Sequence, residues 1–209
     1  MLATVRTMRL PSLFLCLSVL GGTVFAAGPR PIVFENSYFR YTISADARNV
    51  AFVDRATGTD YLRATEASPC ALVRVQGKEH AATAATLADG RLTLRFGITG
   101  ITAIIKTETR PSGITFNVES VSGGEIEALT FLNVPLTLKG VPAEPFGACA
   151  LSLNLFTRVD ALPALQHDLR ASCEKKFGLV GAKVAVVGAP MARMLSALQK
   201  TLAAASELP

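Results

Sequence analysis

Residues 35–62 read ENSYFRYTISADARNVAFVDRATGTDYL. Within them Phe39, Tyr41 and Ile43 alternate with Arg40, Thr42 and Ser44, the period of a strand with one buried face. Ala45-Asp46-Ala47-Arg48-Asn49 supplies a polar turn. A second apolar run, Ala51-Phe52-Val53, then leads into Asp54-Arg55-Ala56-Thr57-Gly58. In that second turn Asp54 and Thr57 can bond backbone amides while Gly58 takes a positive φ. The stretch reads as two strands and two turns.

The same alternation continues downstream. Leu92, Leu94 and Phe96 alternate with polar partners, as do Ile114, Phe116 and Val118, and Leu151, Leu153 and Leu155. Ala88-Asp89-Gly90, Pro111-Ser112-Gly113 and Ser122-Gly123-Gly124 punctuate these runs. Many short strands with regular turns predict a mainly β protein, an antiparallel β-sandwich, over residues 27–158. Residues 159–209 change character and are expected to form a C-terminal α/β extension. Leu162-Pro163-Ala164-Leu165-Gln166-His167-Asp168-Leu169-Arg170 reads as a short helix or loop, and Lys183-Val184-Ala185-Val186-Val187 as a strand ended by Gly188-Ala189-Pro190. Over residues 190–205, Met191, Met194, Leu195, Leu198 and Leu202 recur at helical spacing behind Pro190. That helix is expected either to pack on the sandwich or to begin a further domain.

Ahead of all this, Arg6 and Arg9 precede the short apolar run of residues 13–20, and Val24-Phe25-Ala26 fits a cleavage site. Residues 1–26 therefore read as an export signal, and the protein as secreted or periplasmic. The net charge of +5 falls to +3 once Arg6 and Arg9 are removed, with no acidic residue lost. That charge is too modest and scattered for a nucleic-acid partner. After the leader no stretch approaches the ~20 apolar residues of a span, so no membrane partner is expected once it is cut.

Chemistry-bearing residues are sparse. His80, in a Gly77-Lys78-Glu79-His80 turn, and His167 have no neighbouring nucleophile motif. Asp54, Asp60, Glu108, Glu119, Glu125 and Glu127 sit in turns or on outward strand positions, which argues against a paired acid and base. Cys70, Cys149 and Cys173 read first as buried small hydrophobes and second as one disulfide with a thiol left over. No catalytic residue, metal ligand or cofactor is assigned; the strand–glycine–helix corner at residues 182–194 has one glycine where a dinucleotide site needs three. With no Trp, Tyr38 and Tyr61 are the candidate aromatic platforms for a sugar ring.

Glu35, Asn36, Tyr38, Phe39, Arg40 and Ile43, then Phe52, Val53, Asp54, Arg55, Ala56, Thr57, Gly58, Tyr61 and Leu62, carry a family resemblance. The stretch resembles the opening strands of the galactose-mutarotase-like, supersandwich domains of secreted bacterial proteins related to glycoside hydrolases. It departs at Asp46-Ala47-Arg48, where that pattern carries a glycine. The resemblance implies a supersandwich-like fold and a non-catalytic domain with at most weak glycan contact. Such a domain supports a carbohydrate-active or envelope-associated protein, its partners a carbohydrate and a catalytic domain outside this chain. The chain alone is not read as an enzyme, and a parent enzyme would be a glycoside hydrolase. Two alternatives stand beside this: a sugar-acting enzyme (mutarotase, epimerase or lyase), and a periplasmic structural or interaction protein.

Overall fold

The computed structural model describes residues 30–63, 68–159 and 168–206. The leader, His167 and residues 162–167 of the expected helix or loop lie outside them. The described chain is mainly β: three antiparallel sheets and a single C-terminal helix.

Strands β1 (Ile32–Glu35), β2 (Phe39–Ile43) and β3 (Asn49–Asp54) form the first sheet. Asn36 sets the first hairpin, its Oδ1 accepting the amides of Tyr38 and Phe39 at 2.9 Å. In the second turn Ala47 holds φ +60°, and its methyl is buried. The turn thus keeps a left-handed residue without a glycine. Phe39, Tyr41 and Phe52 are completely buried, and Phe39 stacks on Phe52 at 4.8 Å. Each such burial contributes roughly 2–3 kcal/mol.

Hairpin β4 (Leu72–Val75) and β5 (Lys78–Ala81) follows. The expected surface turn at residues 77–80 is therefore mostly strand: the turn is Gln76-Gly77, both at positive φ, and it delivers Lys78 straight onto the ladder. Next comes a meander of β6 (Ala84–Ala88), β7 (Arg91–Arg95), β8 (Thr102–Arg110) and β9 (Gly113–Ser122). Strands β10 (Ala128–Pro135), β11 (Phe146–Ser152), β12 (Arg158–Val159), β13 (Asp168–Glu174) and β14 (Lys183–Pro190) complete two larger sheets. Their orders are β12-β13-β10-β4-β5 and β11-β14-β9-β8-β7-β6. One cluster of buried side chains draws on all three sheets.

Three expectations change. Asp168-Leu169-Arg170 is the start of a strand, because β13 pairs with β10 from Asp168 onward. The strand expected through Leu155 stops at Ser152. There Ser152 Oγ bonds the carbonyls of Asn154 and Thr157, and Thr157 Oγ1 donates to Asn154 Oδ1, curling the chain off the ladder. At the other end β14 does not stop at Gly188 but pairs with β11 through Pro190.

Helix α1 (Met191–Ser206) lies on β14 and β11. Its buried positions are Ala197 and Thr201, with Met194 and Leu198 half-covered, whereas Leu195 is 69% exposed and Leu202 faces water too. The face presented is one of small residues, because the sheet beneath is close. A Cβ on Gly113 would stand 2.9 Å from the Val186 carbonyl oxygen and 3.3 Å from Thr201 Oγ1. Thr201 donates to Ala197 O at 2.9 Å and meets Ser112 Oγ at 3.1 Å.

Candidate functional site

Of the five residues singled out by sequence, Tyr38 lies in the turn between β1 and β2, Asp54 ends β3, Thr57 and Gly58 form the turn that follows, and Tyr61 lies just beyond it. Asp54 is buried, unlike a solvated carboxylate, because its side chain closes the turn: Oδ1 accepts the Ala56 amide at 2.9 Å and Oδ2 the Thr57 hydroxyl at 2.8 Å. Thr57 Oγ1 in turn accepts the Thr59 amide at 3.2 Å, and Gly58 holds φ +74°. Tyr38 is half-buried against both the main core and the small cluster under α1. Tyr61 stacks on Phe146 at 5.4 Å with planes 14° apart. Burial, aided by the charges of Asp54 and Glu144, raises its phenol above the usual range.

Sequence patterning misses a trough on the outer face of the five-stranded sheet. Register builds it in two rows: Glu174, Ala128, Arg74 and Glu79, then Arg158, Ser172, Thr130 and Leu72. Small side chains at Ala128, Thr130 and Ser172 form the floor, while Arg74, Arg158 and Arg170 form the walls of a hollow of about 100 Å³. Arg170 reaches Glu79 at 3.2 Å and Thr130 Oγ1 at 3.4 Å, and Arg74 reaches Glu127 at 3.2 Å. The Nε of Arg170 is shielded from solvent and has no hydrogen-bond partner. The hydrogen bond from Lys176, 2.9 Å away, holds the Glu174 carboxyl below its ordinary range against the opposing effect of desolvation, with the charges of Lys176, Arg74 and Arg158 adding to it.

Guanidinium donors, hydroxyls and carboxylates in one trough can satisfy a ligand rich in hydroxyl groups. Glu79 and Glu174 are three strands apart, roughly 14 Å at the backbone, and each is held by a cation.

His80 lies on β5, half-buried, beside a second hollow of about 480 Å³ bordered by Ile98, Ile101 and Glu127. Cys70, Cys149 and Cys173 are buried free thiols, each pushed up to about 12 by desolvation. The amide of Met191, at the strand–glycine–helix corner, is taken by Pro145 O at 2.9 Å. Among the described residues no three His, Cys, Asp or Glu side chains group as metal ligands.

The trough was not legible because its residues come from five strands spread over a hundred positions, each looking like an ordinary strand residue. No protein-family model matches the chain, and no curated protein matches it.

Proposed function

We propose that the chain is an exported, non-catalytic β-sandwich module that supports a carbohydrate-active or envelope-associated assembly and contacts glycan weakly through the trough. The supersandwich-like character of residues 35–62 supports the scaffold role. The single observation that carries the glycan contact is the small-floored trough walled by Arg74, Arg158 and Arg170, with the unpartnered Nε of Arg170 inside it. Sugar hydroxyls both donate and accept, so they suit an opening in which guanidinium and carboxylate groups alternate. The trough is open and its ions are already paired, which limits affinity to about the millimolar range, near −4 kcal/mol.

A glycan array followed by calorimetric titration of the best oligosaccharide tests this. Arg170→Ala and Thr130→Val are expected to weaken binding about tenfold, one hydrogen-bonded contact's worth, with the circular dichroism unchanged. Loss of binding in Tyr61→Ala but in neither trough variant would move the contact to the ring stacked on Phe146. No binding to any glycan would favour an interaction protein with no sugar link.

A further inference from the structure

The β11–β12 and β13–β14 loops meet at one end of the molecule. Asn154 Nδ2 donates to Gly181 O at 2.5 Å, and Thr157 Oγ1 accepts the Lys183 amide at 2.6 Å. The Phe156 ring lies against Gly178, 3.7 Å from where a Cβ would stand. On this tied pair of loops Leu155 is fully exposed, Phe177 and Val180 are each 60% exposed, and Phe156 is 47% exposed. Four large apolar side chains therefore project together into water from loops that hydrogen bonds hold in place. Such a feature marks an interaction surface.

We propose that this end of the protein is a peripheral docking surface for an anionic lipid bilayer. Charge selects that occupant. Residues 153–158 and 174–183 carry Arg158, Lys175, Lys176 and Lys183 against Glu174; Glu125 reaches Lys175, and Glu108 and Arg110 face Lys183, which leaves an excess of two positive charges. Lys176 sits over the Phe177 ring, 4.7 Å from its centroid, so cation and apolar group share one spot. The Lys175–Glu125 pair is exposed on both sides, contributes little and exchanges readily for lipid phosphate, while Lys176 is itself exposed above a half-buried Glu174. A second copy of the chain would bring these cations face to face with themselves. An anionic surface neutralises them while its acyl boundary takes Leu155, Phe156, Phe177 and Val180. Peripheral docking needs no spanning segment, and among the described residues no helix is long and apolar enough to cross a membrane. Hydropathy along the sequence therefore carries no sign of this contact.

Because the chain has no Trp, Phe177→Trp places a unique fluorescent reporter on the surface, and Leu195→Trp on the exposed face of α1 is its control. The processed chain beginning at Ala27 is mixed with vesicles of phosphatidylcholine alone or in equal parts with phosphatidylglycerol. With the anionic vesicles the Phe177→Trp emission should shift to the blue, the Leu195→Trp emission should not, and the shift should fade with added salt. In co-sedimentation, Lys175→Gln and Lys176→Gln should each weaken binding roughly fivefold, and Leu155→Ser with Phe177→Ser should abolish it. Absence of a shift with anionic vesicles, or equal binding to the uncharged ones, would overturn the proposal. So would a Phe177→Trp shift that grows with protein concentration without lipid, which would make the surface an interface between copies.

Discussion

Asn49 joins three separate parts of the chain through one side chain. Its Oδ1 accepts the Tyr41 hydroxyl at 2.5 Å, and its Nδ2 lies 2.9 Å from Ser68 Oγ and 2.8 Å from the Asn133 carbonyl. All of this is buried, and a buried polar group left without a partner costs about 1–3 kcal/mol. Asn49→Ala removes the partner of the Tyr41 hydroxyl, the Ser68 hydroxyl and the Asn133 carbonyl together, so we expect a loss of about 3 kcal/mol. Urea unfolding would show this as a lower midpoint at unchanged slope, and a loss under 1 kcal/mol would mean that water replaces the amide. Residues of the opening stretch have local duties: Asn36 closes a hairpin, Glu35 pairs with Arg40 and Arg55, and Asp54 closes a turn. Short-range geometry was legible for that reason. Asn49 was not, since its partners stand up to 84 positions away.

At the scale of elements, period-two alternation located β2, β7 and β9, but not β5 or the start of β13, whose amides join ladders without an apolar alternation to mark them. It misled at Leu153 and Leu155, where the hydroxyls of Ser152 and Thr157 compete for the backbone. Helical spacing likewise found α1 within one residue of each end but assigned its face by size. The buried stripe uses Ala197 and Thr201 because the helix lies close to β14 and β9 over Gly113. Gly113→Ala should therefore destabilise by about 2 kcal/mol, the usual cost of forcing atoms into a packed interface, because the Val186 carbonyl is backbone and cannot swing away. Gly77→Ala is a control for the cost of Ala in a tight turn, its Cβ meeting nothing within 4 Å at φ +73°. Hydrogen exchange would localise the Gly113→Ala effect: protection should fall first where β14 pairs with β9 and in the turn of α1 around Thr201. Uniform loss across the meander would mean that the strain is not confined to that contact.

For the molecule as a whole, β13 and β14 are interior strands of the two larger sheets, so the last fifty residues complete the same core that residues 35–62 begin. Cys70 and Cys173 lie in that core and Cys149 in the small cluster under α1, and their burial ties stability to alkaline pH. Unfolded thiols ionise near 9.0, whereas desolvation holds those of Cys70, Cys149 and Cys173 protonated up to about 12. The folded state thus keeps protons that the unfolded state gives up. Stability is full below about pH 9 and falls progressively as pH rises toward 12, each unit of difference in one group being worth about 1.4 kcal/mol. Burial raises the Tyr41 phenol well above its ordinary value of 10.0, which acts in the same direction. Urea midpoints measured between pH 7 and about pH 11 should accordingly decline above pH 9. Replacing the three cysteines by alanine should make that decline shallower without abolishing it, because Tyr41 remains. Identical slopes in the two proteins would mean that the thiols are not shielded in solution as they are in this fold, and the shared interior built by β13 and β14 would then have to be looser than its packing indicates.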